Sequence, residues 1–154
     1  MKPLYIFDLD GTLALTGHRQ HILDDKDNPH RWQHFFAACI HDKPNRPVID
    51  TMHRLYLVGA DIWIWSGRSN EVHDQTVTWL GEHTALMSHD IENILTMREA
   101  QDYTPDDELK AAWLDALTFA DRERLVAVFD DRDKVVAMWR SKGVACFQVA
   151  PGSF

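Results

Sequence analysis

Lys2 to Asp8 reads KPLYIFD and runs on as LDGT, residues 9–12. A near-continuous apolar and aromatic run of strand length, ending on a carboxylate and a glycine-containing turn, is what a buried central strand of a parallel sheet looks like. Three further runs repeat the pattern: ADIWIWS ending at Ser66, LVAVFDD ending at Asp130 and Asp131, and VACFQVA near the C-terminus. The patterns between them predict helices over Pro47 to Val58, Glu71 to Thr84, Pro105 to Phe119 and Asp133 to Lys142, with Pro or Asp near several starts and Gly59 and Gly143 just past two ends. Strands alternating with helices predict an α/β fold, a doubly wound parallel sheet built from right-handed βαβ units. Ligands of such sheets lie beyond the carboxyl ends of the strands. Asp8, Ser66, Asp130 and Asp131 therefore gather at one edge, and IENILTMR is read as a short extra strand that brings Arg98 there too.

From about Thr16 to Arg46 the alternation is broken by a polar, His-rich loop and one amphipathic helix, HRWQHFFAACI. This stretch reads as a small helical cap inserted into a single domain of 154 residues, a length that buries a substantial core unaided. Hydrophobic residues form 45% of the chain and charged residues 26%, a balance that excludes a disordered chain. The net charge of −8 excludes a broad basic surface tracking many phosphates. Cys39 and Cys146 match no zinc or redox spacing and read as two buried, reduced thiols, which fits a cytoplasmic location. An acidic residue at position 8 leaves no room for the apolar core of a signal peptide, and no apolar run approaches membrane-spanning length, so no membrane partner is expected.

DLDGT, residues 8–12, sets two carboxylates two residues apart where a buried strand emerges. Two carboxylates about 4 Å apart repel by roughly 4 kcal/mol at an effective dielectric of 20. A site that adds Asp130 needs a cation, and an all-oxygen donor set points to a hard divalent ion, magnesium.

DLDGT after an N-terminal strand, Ser66 after the next, Lys110 ahead of the third and FDDRD at its end resemble, in order and spacing, the four motifs of the haloacid dehalogenase (HAD) superfamily. The resemblance covers the whole chain and implies a HAD-type Rossmann-like fold and phosphatase activity. It implies Asp8 as nucleophile and Asp10 as general acid and base. The chemistry suits these residue types: Asp is ionised at neutral pH and gives an acyl phosphate that water can cleave in a second step, and Asp10, held protonated by its environment, can neutralise the departing alkoxide. Ser66 and Lys110 would bind phosphoryl oxygens, while Asp8, the Asp10 carbonyl, Asp130 and Asp131 would hold Mg2+.

DDELKAAW (106–113), SGR (66–68) and FDDRDKVVAMWRSKGVACFQVAPGSF (129–154) are similar to the phosphatase domain of phage-type polynucleotide kinase-phosphatases. That likeness implies a 3′-phosphatase of nucleic acid end repair, working in a bacterial host cytoplasm if phage-encoded. It places Arg19, Arg68 and Arg98 in the pocket, alongside Thr12 of DLDGT and Gly67 of SGR, as substrate-binding residues. Arginine suits that task because its planar fork binds phosphate bidentately. The chain has no GxxxxGK[ST] stretch, the phosphate-cradling loop of a kinase. The expected partner is a phosphorylated nucleic acid end or, in the alternative, a nucleoside monophosphate, which would make the protein a nucleotidase. A catalytically silent phosphate-binding module is the non-enzyme alternative, and intact Asp8, Asp10, Ser66, Lys110 and Asp130 count against it.

Other signals read as structural. The pairs His18/His21 and His30/His34 lack a third convergent ligand and are taken as polar cap residues. Asp24, Asp25 and Asp27 lack the glycine and closing glutamate of a calcium loop. Trp63, Trp65, Trp79, Trp113 and Trp139 fall in strand or helix patterns and are assigned to the core. Trp32, beside Phe35 and Phe36, either staples the cap or touches a nucleobase.

Overall fold

The computed structural model describes residues 1–154. Five parallel strands form its sheet: β1 (Leu4–Phe7), β4 (Asp61–Ser69), β5 (Leu95–Arg98), β6 (Leu125–Asp130) and β7 (Cys146–Gln148), in the order β5-β4-β1-β6-β7. β1 lies at the centre, with Phe7 opposite Ile64 of β4 and Phe129 of β6. All pairings in this sheet are parallel, as the apolar runs predict.

Side chains alternate across the sheet and build a core on each face. Phe7, Ile62 and Ile64 pack with Val48, Ile49 and Met52 of α3 (Arg46–Leu57), Trp79 and Leu80 of α4 (His73–His83), and Ile91 of α5 (Ser88–Ile94). On the other face Leu4, Ile6, Trp65 and Val128 meet Leu114 of α6 (Asp106–Asp115) and Val135, Val136 and Trp139 of α8 (Asp133–Ser141). Trp63 and Trp113 are partly buried against this second core. All five tryptophans assigned to the core thus lie in or against it. Cys39 and Cys146 are free and buried.

Helix ends depart from the pattern-based reading. The stretch expected to be one helix to Phe119 is two, α6 and then α7 (Phe119–Arg124), separated where Thr118 caps Asp121 N–H through its hydroxyl. Residues 70–72 form a 3₁₀ turn ahead of α4, and α5 was not foreseen. Between β1 and α3 the chain makes β2 (Ala14–Leu15), a 3₁₀ turn at Gly17–Arg19, α1 (His21–Asp24), α2 (Arg31–Ala37), a second 3₁₀ turn at Ala38–His41, and β3 (Lys43–Pro44). The single expected helix HRWQHFFAACI is therefore α2 followed by a tighter turn. β2 and β3 pair antiparallel, so this segment leaves and re-enters the main fold at adjacent points. No helix is long and apolar enough to cross a membrane.

Candidate active site

Four strand ends meet at one edge. Asp8 follows β1, Ser66 and Arg68 lie in the last residues of β4, Arg98 closes β5, and Asp130 closes β6. A register shift in β4 between Ser66 and Ser69 sets Ser69 opposite Arg98, which carries that arginine to the edge. A cavity of about 550 Å³ opens at this edge, lined by Asp8, Asp10, Gly67, Arg68, Arg98, Lys110, Asp130 and Asp131 among others, whereas Ser66 is fully buried and lies outside the lining.

Asp8, Asp130 and Asp131 are buried, and one oxygen of each lies within 4.8 Å of the others. Lys110, buried and one turn past the start of α6, donates through Nζ to Asp8 Oδ1 at 2.7 Å and to Asp130 Oδ2 at 2.9 Å. Thr12 donates its hydroxyl to Asp8 Oδ2 at 3.0 Å, and the backbone N–H groups of Asp131 and Arg132 donate to Asp130 Oδ1. One ammonium against three carboxylates leaves two negative charges uncompensated in a dry place. Burial, then repulsion from Asp130 and Asp131, pushes the Asp8 carboxyl well above its ordinary value despite Lys110. Burial and Asp130 push Asp131 up to about 7. Burial alone would lower the Lys110 ammonium, but Asp130 and Asp8 outweigh it and hold Lys110 charged far into the alkaline range. A hard divalent cation fits this donor set, since it would supply the missing charge to an all-oxygen cluster. Gly11 belongs to the same arrangement: its φ is +85°, and a Cβ there would strike the Asp131 carboxylate.

Asp10 lies in a different field. Arg68 donates to Asp10 Oδ1 through Nε at 2.9 Å and Nη2 at 2.6 Å, and Arg19 Nη2 adds a third bond at 2.8 Å. Burial alone would raise the Asp10 carboxyl, yet Arg68 and Arg19 overcome it and hold the group below its ordinary value. This corrects the expectation that the surroundings keep Asp10 protonated: with two guanidinium groups in contact, the resting side chain is a carboxylate.

The same bonds revise the placement of two arginines expected to meet substrate. Arg19 and Arg68 have fully buried side chains. Arg19 also donates to Asp42 and to the Phe35 carbonyl, and Arg68 to Asp42 and the Thr76 hydroxyl. Their forks hold acidic side chains, with Arg68 only bordering the cavity and Arg19 set behind it. Arg98 does line the cavity, but it too is occupied, donating to the carbonyls of Gly67, Asp102 and Thr104 and to Asp106. Gly67 is packed so that a Cβ would strike the Asp106 carboxylate. The Ser66 hydroxyl is buried and accepts the Arg68 N–H at 3.2 Å.

Two acidic residues at the site were not singled out from sequence. Asp42, fully buried between the second 3₁₀ turn and β3, accepts from Arg19, Arg68 and His18, and its backbone carbonyl accepts the Trp79 indole N–H. Two buried arginines around one Asp10 carboxylate require a second counter-charge, which is the only signal the sequence held for Asp42. Asp106 receives Arg98 and Arg132. It lies four residues before Lys110, hence on the same helix face, and that spacing was legible in DDELK.

The family model for the polynucleotide kinase PNKP phosphatase domain matches residues 2–154. The chain belongs to this family. It is a HAD-superfamily phosphatase, and its strand-edge acidic cluster stands where the fold places such sites. The chain is also similar to a chain of the Pnkp1/Rnl/Hen1 RNA repair complex, with a TM-score of 0.74 and 29% identity over 99% of this chain and 44% of that one. A chain of the Pnkp1/Rnl/Hen1 complex in a second structure gives 0.72 and 27%, covering 99% and 48%. This PNKP-family chain thus spans less than half the length of either relative. The class C acid phosphatase from Bacillus anthracis shares the fold, with a TM-score of 0.67 and 19% identity over 99% of this chain and 67% of that one.

Proposed function

We propose that this phosphatase removes the 3′-phosphate from nucleic acid ends in two steps, through an aspartyl-phosphate on Asp8, with magnesium as its cofactor. The observation that carries the reading is the buried cluster of Asp8, Asp130 and Asp131, with Lys110 tying Asp8 to Asp130, opening into a cavity far larger than one phosphate needs. A volume of about 550 Å³ is in the range of pockets that enclose a nucleotide-sized ligand. Family membership and the similarity to RNA-repair chains support the nucleic acid end as substrate.

Magnesium would be held by Asp8, Asp130 and Asp131, with the Asp10 carbonyl as a further oxygen, and when bound supplies positive charge to phosphoryl oxygens and to the carboxylates. Thr12 and Lys110 fix the Asp8 carboxylate at the end of β1. Asp8 attacks phosphorus, and the bond to the 3′ oxygen breaks. Lys110 and the Ser66 hydroxyl stabilise the charge on the transferring group. Asp10 gives the leaving oxygen its proton and then takes one from the water that attacks the acyl phosphate, returning inorganic phosphate and free Asp8. Because Arg19 and Arg68 hold Asp10 ionised at rest, it takes up its first proton as the dianionic substrate enters. In the second step they keep it in the unprotonated form from which a base starts. We read residues 16–46 as a cap, since they carry Arg19 and Asp42 to Asp10 and border the cavity through Trp32 and Phe36.

The direct test is phosphate release with magnesium from a 3′-phosphorylated oligonucleotide, its 5′-phosphorylated twin, and nucleoside 3′- and 5′-monophosphates. A preference for the 3′-phosphorylated oligonucleotide of at least tenfold in kcat/KM is expected. Faster hydrolysis of mononucleotides would make the protein a nucleotidase and remove end repair.

A further inference from the structure

Five of the six tryptophans serve the core, and Trp32 does not: on α2, 48% of it remains exposed. It is nonetheless held in place. Phe35 meets it edge-on at 5.9 Å between centroids with planes 84° apart, and Phe36 lies at 5.9 Å with a 32° tilt. Phe35 is buried, with the Arg19 guanidinium 4.1 Å over its ring, and Arg19 in turn bonds Asp10. A short chain of contacts therefore fixes the indole relative to Asp10. Trp32 and Phe36 line the same cavity as Asp8 and Asp10. An aromatic surface that is half exposed, rigidly backed and continuous with a reaction cavity is a ligand surface.

We propose that Trp32, backed by Phe36, is the stacking platform for the nucleobase of the phosphorylated terminal nucleotide. The inference rests on the end-processing reading above and names the part of the substrate that the cap recognises. A phosphate in reach of Asp8 is joined through one sugar to its base, and the remaining cavity is large enough for that nucleoside. Every base offers a π-face, so the platform selects for a base without selecting which one. A held indole loses little conformational freedom on stacking, so the gain falls on substrate binding.

The test compares a 3′-phosphorylated oligonucleotide ending in a normal nucleotide with one ending in an abasic residue, for the wild type, Trp32→Ala and Trp32→Phe. The wild type is expected to favour the base-bearing end about tenfold in kcat/KM, expressed in KM. Trp32→Ala should lower kcat/KM on that end to the abasic level and leave the abasic end unchanged, while Trp32→Phe keeps most of the preference. Equal losses on both ends would make Trp32 a structural staple of the cap and overturn the platform, as would no loss on either. Nucleoside monophosphates against ribose phosphates separate this from the polymer reading. If oligonucleotide ends resist hydrolysis while a Trp32-dependent base preference persists on mononucleotides, end repair fails and the platform stands; if that preference is absent there too, both fail.

Discussion

Asp8 and Asp10 are two residues apart, yet their side chains sit in opposite fields. Asp8 shares Lys110 with Asp130, lies close to Asp131 and is pushed toward its neutral form, whereas Asp10 faces two arginines and is held ionised. Pairs of titratable groups whose surroundings push them apart are how one site supports two roles. Behind Asp10, Asp42 balances the charge of Arg19 and Arg68. Replacing Asp42 by Asn would leave two buried guanidinium groups facing one carboxylate. Removing one partner from a buried charged pair costs about 3 to 5 kcal/mol, so Asp42→Asn should lower the unfolding free energy by about 3 kcal/mol in urea titrations. A loss below about 1 kcal/mol would mean that Asp42 is not the counter-charge.

The elements differ in how legibly the sequence encoded them. β1, β4 and β6 are apolar runs that end on polar residues at one sheet edge, so both the strands and that edge follow from KPLYIFD, ADIWIWS and LVAVFDD. Of IENILTMR, read as a strand, only Leu95–Arg98 forms β5 while Ile91–Ile94 ends α5, and the β4 register shift that carries Arg98 to the edge was not legible. Short charged helices such as α7 offer no apolar period of their own and form because flanking elements dock them. The 16–46 segment resisted reading for the same reason. Its four- and seven-residue helices, and the two-residue strands β2 just before it and β3 near its end, are set by tertiary anchors, among them the Asn45 side-chain bond to the Thr12 carbonyl and the Trp79 bond to Asp42. Asp42 and the ionised state of Asp10 were missed because both arise where Arg19 and Arg68, distant in sequence, converge.

At the scale of the whole molecule, the acidic cluster couples stability to pH and to the cation. Asp131 rises from an ordinary 3.8 to about 7 because the fold disfavours its ionised form, and Asp8 shifts in the same direction. A carboxyl raised in the native state holds its proton while the unfolded chain ionises, so without metal Asp131 removes stability as pH climbs from about 4 to 7, and Asp8 acts in the same direction. Asp10, with its lowered value, works oppositely and loses its contribution only in acid. Magnesium binding to the ionised cluster should cancel the loss. At pH 7.5, millimolar magnesium is expected to raise Tm by at least about 5 °C over protein in EDTA, with the difference shrinking toward pH 4.5. An identical Tm with and without magnesium at pH 7.5 would contradict this.

The central claim is that the phosphoryl group passes through Asp8. Asp10→Asn should leave attack on an activated ester such as p-nitrophenyl phosphate feasible, since that leaving group needs no proton, while slowing hydrolysis of the acyl phosphate. Acid quenching of this variant after a single turnover, followed by peptide mass spectrometry, is predicted to find one phosphoryl group on Asp8, absent when Asp8 is also replaced by Asn. A phosphoryl group on any other residue, or full turnover by Asp8→Asn alone, would contradict the mechanism.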